Sequence, residues 1–384
     1  MIKHKLTLFF YYYIYVSISF FFAPYLKNVK GFEPEIVGYL TTLGLLFLII
    51  SFFLSGMIAD KINSNKKIIA VNLAISFLVI LGLVFINNHF ILSALYILSY
   101  SNFIMITSQL DGLVIRDLND TTLYAGVRAF GSFGAAISYA LNSFALSGIS
   151  LETNLLFNAG LVIVLIILIS SIHEHHYEKN ASISEYRAEV ANAVAIKPVL
   201  YILVITFLTY GTLSADDAYQ VMYNMEIVGI SAGVMGIIGL VSIFSEGSFM
   251  MVHKRILKRL GIAKTINIAV ITLLVIYITR FTLYTSPVVI NAGSVMMGLF
   301  IGFYIPSVML IINKFIEDTT KNIFLSFYQI MIRIGGVLIG LITTIFYDTT
   351  GSLQGIYLLH SVMIAMSLYV IYLLSKEVDG IDFE

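Results

Sequence analysis

Twelve apolar runs of roughly 20 residues divide this chain, and that is the length an α-helix needs to cross the hydrocarbon core of a bilayer. Only 11% of the residues are charged and 59% are hydrophobic, whereas soluble domains carry about 25% charged residues. A soluble globular protein is therefore excluded, and we predict an all-α membrane protein with twelve transmembrane helices. The runs extend approximately over residues 6–26, 36–59, 68–86, 90–115, 123–147, 154–172, 198–221, 231–252, 264–284, 288–313, 323–347 and 353–375.

The longest polar interruption separates the sixth run from the seventh. It predicts an N-terminal six-helix bundle over residues 1–172, a cytoplasmic linker over 173–197 and a C-terminal six-helix bundle over 198–384. Each half carries a basic cluster between its second and third runs, at 60–67 and at 253–264. Such repetition is typical of secondary transporters, in which related bundles enclose a substrate site near the middle of the bilayer.

The Lys and Arg residues indicate the orientation, because cytoplasmic loops are enriched in them. If the N-terminus is inside, 17 of the 22 lie in cytoplasmic segments, and Lys27 and Lys30 lie in outer loops. The other three, Arg128, Arg280 and Arg333, fall within apolar runs. We therefore expect both termini in the cytoplasm. The first run, after MIKHK, is too long for a signal peptide and is expected to be retained as a span.

Several classes of function are excluded by what the chain lacks. It contains no Cys, so disulfides, thiolate catalysis and Cys-ligated metals are absent, and its formal net charge of zero argues against a nucleic-acid partner. The linker histidines His173, His175 and His176 form a weak metal-binding pattern without a completing ligand. No Walker motif or nucleophile–base pair is visible. We expect no metal, no cofactor and no enzymatic activity.

Charged side chains inside a membrane span mark functional positions, because an unpaired charge there costs several kcal/mol. Asp111 and Arg128 lie eight and nine residues either side of Asn119, the centre of the connector between spans four and five. Neighbouring antiparallel helices would bring the two charges to the same depth. Two interpretations remain open: a structural ion pair, or a pair that separates to bind a solute.

The seventh span is the most polar. Asp216, Tyr219 and Gln220 recur on one face at helical spacing, and Tyr210, Ser214 and Asp217 form a second stripe beside it. Two adjacent carboxylates are unfavourable together in a desolvated site, so one of them is a candidate proton carrier. The alternative for Asp217 is a solvated position at the outer interface.

Spans eight to twelve add further candidates. Glu246 lies about 10 Å inside the cytoplasmic edge by helical rise and is a candidate proton carrier. Arg280 lies in the outer half of its span, and Arg333 lies near the midplane one turn from Gln329. Arg333 is expected to bind an anionic solute group or to neutralise a carboxylate of the other half. His360 is expected to be a packed or hydrogen-bonded residue, because no acid lies one turn away.

The loop GMIADKINSNKK at 56–67 resembles the signature loop of the major facilitator superfamily. Gly56, Asp60 and Lys61 match its pattern, whereas Asn63 replaces the glycine of the family. The resemblance implies the major facilitator fold and a loop that braces the bundles in one conformation. Within the superfamily the chain is similar to the branch of lactose permease-like sugar/proton symporters, nucleoside symporters and phenylpropionate permease-like proteins, on the strength of Asp111, Tyr124, Arg128, Phe130, Gly131, Glu246 and Arg280.

In lactose permease-like members these positions bind the sugar and assist coupling to protons, and the resemblance implies the same roles here. Two departures stand out. Ala125 and Gly126 replace the Gly and Lys that precede the arginine, and span ten has no His or Glu. Lactose is therefore a doubtful substrate, and proton coupling would fall to Glu246, Asp216 or Asp217.

Together these patterns predict a proton-coupled symporter of a small polar organic solute, such as a sugar or oligosaccharide, a nucleoside or an aromatic acid. We expect a monomer in the inner or plasma membrane that works by alternating access. The alternatives are a proton-coupled drug or metabolite exporter of the same fold and, more remotely, a polytopic membrane enzyme or sensor. The expected solute-binding residues are Asp111, Arg128, Tyr219, Gln220, Arg280, Gln329 and Arg333.

Overall fold

The computed structural model describes residues 1–118, 120–145, 150–174, 188, 191–230, 232–381 and 383. Twelve long helices run through this part of the chain and confirm the predicted number of spans. They are α1 (Ile2–Asn28), α2 (Pro34–Ile62), α3 (Asn65–Phe85), α4 (His89–Asp117), α5 (Tyr124–Ala145), α6 (Leu151–Ser170), α7 (Lys197–Met222), α8 (Ala232–Leu260), α9 (Ile262–Thr282), α10 (Pro287–Phe315), α11 (Lys321–Thr350) and α12 (Leu353–Val378).

Length and composition suit these helices to a bilayer. They contain 20 to 30 residues, which corresponds to about 30–45 Å at 1.5 Å per residue. Ten of them are long and apolar enough to cross a membrane. Large apolar side chains such as Phe90, Phe85 and Ile345 are 85%, 71% and 64% exposed. In water such exposure would be unfavourable, whereas acyl chains solvate it.

Polar side chains cap several helix starts. Ser64, Asn88, Ser150 and Ser352 accept hydrogen bonds from backbone N–H groups in the first turns of α3, α4, α6 and α12. These groups have no partner inside the helix, so a cap satisfies them where water is scarce. Helix boundaries therefore fall at polar residues that interrupt the apolar runs.

The chain forms two compact units. The first contains Met1–Asn119, Phe130–Ala181 and Asp318–Phe327. Within it α2 and α3 pack on α4, and α6 packs on α1 and α3. The second contains Asp120–Ala129, Ser182–Glu317 and Tyr328–Glu384. Within it α10 packs on α8 and α9, and α12 packs on α7 and α9. The first turns of α11 thus belong to the first unit and the rest to the second.

Glycines allow two very close helix contacts. In the second unit α7 crosses α11 with Gly211 against Gly335, where a Cβ on Gly211 would lie 2.8 Å from the Gly335 backbone. In the first unit a Cβ on Gly134 of α5 would lie 2.8 Å from the Phe9 carbonyl carbon of α1 and closer still to its oxygen. Small residues at such crossings let helices approach backbone to backbone, as is common in membrane proteins.

Candidate functional site

A buried ion pair joins α7 to α9 in the second unit. Arg280 Nη1 donates to Asp216 Oδ2 at 2.8 Å, and the two side chains are only 5% and 0% exposed. Tyr277 donates its hydroxyl hydrogen to the same oxygen at 3.0 Å. The sequence singled out Asp216 as a proton carrier and Arg280 as a solute ligand, and the structure brings these two side chains into direct contact.

Aromatic rings surround the Arg280 guanidinium. Its central carbon lies 5.4 Å from the Tyr277 ring centroid and 5.6 Å from that of Tyr357. Both distances fall within the range of cation–π attraction. Tyr223, which follows α7, packs edge-on against Tyr357 with centroids 5.1 Å apart. The ion pair is therefore held in a desolvated aromatic enclosure.

His360 of α12 lies on the other side of Asp216. Its Nδ1 is 3.7 Å from Asp216 Oδ1, and its Nε2 is 3.0 Å from the Thr343 hydroxyl oxygen. The hydrogen bond to Thr343 agrees with the expectation of a hydrogen-bonded residue. No acid lies one turn from His360 on α12, as expected, but α7 brings the Asp216 carboxylate next to its ring.

A second polar cluster surrounds Tyr210 of α7, also in the second unit. The Tyr210 hydroxyl is buried and makes no hydrogen bond within the described part of the chain. Glu246 and Arg128 both act electrostatically on this phenol, as do Tyr304 and Tyr328. Glu246 is 9% exposed and Arg128 is 7% exposed. The carboxylate of Glu246, the guanidinium of Arg128 and the hydroxyl of Tyr210 thus belong to one buried cluster.

Rings of α10 line the same cluster. The Tyr210 ring centroid is 5.3 Å from that of Phe300 and 5.6 Å from that of Tyr304. The Tyr304 hydroxyl is bonded to Thr206 at 2.8 Å. Since Tyr304 is already satisfied, the Tyr210 hydroxyl is the group that can accept a new partner. The sequence placed Tyr210 in a polar stripe without assigning it a role.

Arg333 and Gln329 of α11 are half-buried. The Arg333 Nε is buried without a hydrogen bond, and Arg333 forms no ion pair with any described residue. Tyr219 bonds Thr344 at 3.1 Å, and Gln220 is half-buried.

Asp111 and Arg128 fall in different units. Asp111 of α4 is 3% exposed in the first unit, and Arg128 of α5 belongs to the second. The expected pair of these two therefore stays a prediction. Some other candidates lie outside the described residues, namely the side chain of Asp217 and the linker residues His175 and His176.

The signature loop forms a dense polar contact in the first unit. Asp60, at the end of α2, accepts hydrogen bonds from Arg116 Nη2 at 3.0 Å and from the backbone N–H of Ile323 at 3.0 Å. Asn322 adds its side-chain amide at 2.8 Å. The carboxylate thus caps the start of α11, where the helix dipole favours negative charge.

Gly56 and Lys61, the other two residues that match the loop pattern, differ in their surroundings. A Cβ on Gly56 would lie 2.6 Å from the Ser326 hydroxyl, so the glycine is required for the close approach of α2 to α11. Lys61 is exposed. The sequence missed Glu174, which accepts from Ser64 Oγ at 2.6 Å and from the Asn65 backbone at 2.5 Å. It caps α3 from 109 residues away, and no local pattern indicates that contact.

Asp120, in the connector between α4 and α5, has a shifted pKa. Lys254 of α8 forms an ion pair with Asp120 at 2.6 Å. The hydrogen bond from Lys254, followed by that from Thr122, holds the pKa of the Asp120 carboxyl below its usual value. Both side chains are about one third exposed, so the pair contributes little stability.

The profile of the MFS_1 like family matches residues 1–359. No curated protein matches the chain. Among solved structures the chain is similar to the E. coli fucose:proton symporter FucP, with a TM-score of 0.79, 15% identity and coverage of 97% of this chain and 98% of that one. These figures support the predicted major facilitator fold.

Two further structures show the same fold. The human organic anion transporter MFSD10 has a TM-score of 0.77 at 10% identity, with 96% of this chain and 98% of that one covered. The nucleoside transporter NupG has a TM-score of 0.62 at 17% identity, with 97% and 99% covered. The fold prediction, an all-α membrane protein with twelve transmembrane helices, is confirmed.

Proposed function

We propose that this chain, which belongs to the MFS_1 like family, takes up a small polar organic solute together with protons by alternating access. Relatedness to major facilitator transporters supports transport of a small molecule across a membrane. The solute, the coupling ion and the direction are the parts that we propose. We further propose a monomer in the inner or plasma membrane with cytoplasmic termini.

The cluster around Tyr210 carries the proposal. A buried hydroxyl without a hydrogen-bond partner is unfavourable by about 1–3 kcal/mol, so its presence beside Arg128 and Glu246 argues for a ligand that satisfies it. A solute hydroxyl would accept from Arg128 or donate to Glu246. Arg333 would bind an anionic or strongly polar group of the solute. Gln329, Tyr219 and Gln220 would complete the site.

The composition of this cluster favours certain solutes. Hydroxyl, carboxylate and guanidinium groups bind polyhydroxyl compounds well because they offer both donors and acceptors. The rings of Phe300 and Tyr304 provide flat apolar surface. Sugars or oligosaccharides and nucleosides fit both properties, and aromatic acids fit through Arg333. The solved structures to which the chain is similar include a fucose:proton symporter, a nucleoside transporter and an organic anion transporter.

Solute binding can be tested on the purified protein. Sugars, nucleosides and aromatic acids are screened by thermal shift, because a ligand of the folded state raises the melting temperature. For the best solute we expect Tyr210→Phe to weaken binding about threefold to tenfold, the value of one neutral hydrogen bond. Tyr201→Phe, the same change nearer the start of α7, is the matched control and is expected to leave binding unchanged.

Direction and coupling need a vesicle assay. In proteoliposomes with an imposed pH gradient, we expect accumulation on the alkaline side for a symporter, whereas accumulation on the acidic side would support the exporter alternative. Glu246→Gln keeps an oxygen that accepts from a solute hydroxyl but cannot carry a proton, so it should reduce gradient-driven accumulation while solute exchange continues. Absence of binding by all three solute classes, or equal effects of Tyr210→Phe and Tyr201→Phe, would overturn the proposed solute site.

A further inference from the structure

Two buried polar atoms of the second unit face each other without a hydrogen bond. Asp216 Oδ1 and His360 Nδ1 lie 3.7 Å apart, and neither atom has a hydrogen-bond partner within the described part of the chain. Both residues are 0% exposed. Buried polar atoms are nearly always satisfied in native proteins, so this gap requires an explanation.

The tautomer of His360 follows from its other ring nitrogen. The Thr343 hydroxyl has one hydrogen, which it donates to the Ile339 carbonyl at 2.8 Å. It can only accept in its 3.0 Å contact with His360 Nε2. The Nε2 atom therefore carries a hydrogen, and in the neutral ring Nδ1 presents a lone pair.

That lone pair points to a carboxylate oxygen. Asp216 Oδ2 already accepts from Arg280 and Tyr277, whereas Oδ1 has no hydrogen-bond partner among the described residues and lies 3.7 Å from Nδ1. Two acceptors opposed in a desolvated site repel each other, and one proton between them converts the repulsion into a charge-assisted hydrogen bond. Closing the separation to about 3 Å would give ordinary hydrogen-bond geometry.

We propose that Asp216 and His360 form a proton-binding site that holds one proton between Oδ1 and Nδ1 and thereby weakens the Arg280–Asp216 ion pair. The proton comes from water: a hydronium ion gives it up, one N–H or O–H bond forms, and a water molecule remains. The site would carry one proton of the proposed symport, separate from a proton on Glu246, and in this respect it rests on the proposed function.

Charge explains the effect on Arg280. The groups that face His360 are Asp216 from α7, Arg280 and Tyr277 from α9, Thr343 from α11 and Tyr357 from its own helix, with Tyr223 behind them. Before proton binding the ion pair is neutral, and afterwards the cluster carries one positive charge. A carboxylate shared between two cations holds each less firmly, so proton binding favours the release of Arg280.

The coupling is reciprocal. If a proton weakens the hold of Asp216 on Arg280, then release of Arg280 to an anionic group strengthens proton binding by the same free energy. A transporter needs such linkage, because solute and proton must bind together. His360 would thus act on transport through Asp216, as a group that holds the proton.

The chain contains a matched control. His253 of α8 is also buried and has its Nε2 3.0 Å from a hydroxyl, that of Ser307. Ser307 donates its hydrogen to the Phe303 carbonyl at 2.7 Å, so His253 has the same tautomer. Its Nδ1, however, faces no carboxylate in the described residues. The two histidines thus share burial and tautomer, whereas among the described residues a carboxylate lies beside His360 and not beside His253.

The test is nuclear magnetic resonance of the purified protein with nitrogen-15-labelled histidine, from about pH 4 to 9, a window that reaches roughly two units either side of an ordinary histidine. We expect the Nε2–H tautomer for His360 at high pH, and an Nδ1 signal that moves as the proton binds. Asp216→Asn should abolish that movement, and the His253 signal should be unaffected by this variant.

Two variants assign the signal. His360→Gln removes it, and Thr343→Ala displaces the Nε2 signal of the same ring while the histidine stays, which covers the case that His360→Gln does not fold. A neutral ring protonated at Nδ1, or an Nδ1 signal that stays constant across the whole window, would overturn the proposal. The measurement uses no solute, so failure of the solute screen and failure of this site are distinguishable.

Discussion

The Arg280–Asp216 ion pair makes a quantitative prediction about stability. Arg280→Met removes the guanidinium and keeps an apolar chain of similar length between Tyr277 and Tyr357, so the aromatic enclosure stays filled. Asp216 then remains buried, and among the described residues Tyr277 is the one hydrogen-bond donor left to its Oδ2. Because its side chain is 0% exposed, water cannot replace the lost cation. We expect destabilisation of about 3–5 kcal/mol.

The double variant Asp216→Asn/Arg280→Met should be much less damaging. It removes both charges, and the amide introduced on α7 would still accept from Tyr277 through its oxygen and could donate a hydrogen to His360 Nδ1. Replacing a buried pair by neutral groups is often close to neutral. We therefore expect a coupling energy of at least about 2 kcal/mol in the double-mutant cycle, well above the roughly 0.5 kcal/mol of independent sites.

The assay must suit this chain. It contains no Trp and no Cys, so indole fluorescence and thiol-reactive dyes are unsuitable. Denaturant titration in detergent, followed by the circular dichroism of the helices, gives the free energy of unfolding for the wild type, both single variants and the double variant. Additive single effects, or a cost of Arg280→Met below about 1 kcal/mol, would refute the interpretation of a desolvated pair.

The single variant Arg280→Met also tests the proposed proton site. Without Arg280, a proton shared by Asp216 and His360 is the remaining source of positive charge. Above about pH 6.5 an unfolded histidine is mostly neutral, so the folded variant would bind more protons than the unfolded chain. Its stability should then fall as pH rises, by up to about 1.4 kcal/mol per pH unit. A pH-independent cost would contradict this.

Two further predictions use matched pairs. Gly134→Ala should destabilise the protein by several kcal/mol, because the added Cβ would overlap the Phe9 backbone. Gly126→Ala should be nearly neutral, because nothing lies within 4 Å of the position of its Cβ. Thermal unfolding of the two variants measures the difference. Asp60→Asn should lower stability by about 1–3 kcal/mol through lost charge-assisted hydrogen bonds, whereas Lys61→Gln, an exposed change, should stay within about 0.5 kcal/mol in the same denaturant titration.

The helices were predictable because the bilayer imposes them. Each span must be about 20 apolar residues long, and each backbone polar group must be satisfied within its own helix. Hydropathy along the chain therefore locates all twelve. The ends were less accurate. The eighth run was expected to stop at residue 252, yet α8 continues to Leu260 through the basic residues near its end, which can extend into the headgroup region.

The site was predictable residue by residue but not as a set of contacts. Asp216 and Arg280 stood out because lipid does not tolerate unpaired charge. Their pairing did not, since 64 residues separate them and hydropathy contains nothing about which helices become neighbours. The acid beside His360 was not predictable for the same reason, because it comes from α7 and not from the helix that carries His360. The sequence also could not predict that the Tyr210 hydroxyl lacks a hydrogen-bond partner among the described residues, because that depends on which side chains surround it.

The glycine contact between α7 and α11 provides a physical link between the proposed proton site and the rest of α7. Gly211 lies against Gly335, α7 carries Asp216 about 7.5 Å beyond that contact, and α11 carries Thr343, which holds His360. Closing the 3.7 Å gap to about 3 Å then requires α7 to tilt by only about 5° around the glycine contact.

The same tilt moves the Lys197 end of α7, about 21 Å on the other side of the contact, by about 2 Å in the opposite direction. Tyr210, adjacent to the contact, hardly moves. Proton binding would therefore reposition both ends of α7, Tyr219 and Gln220 included, while the Tyr210 cluster of the solute site stays in place.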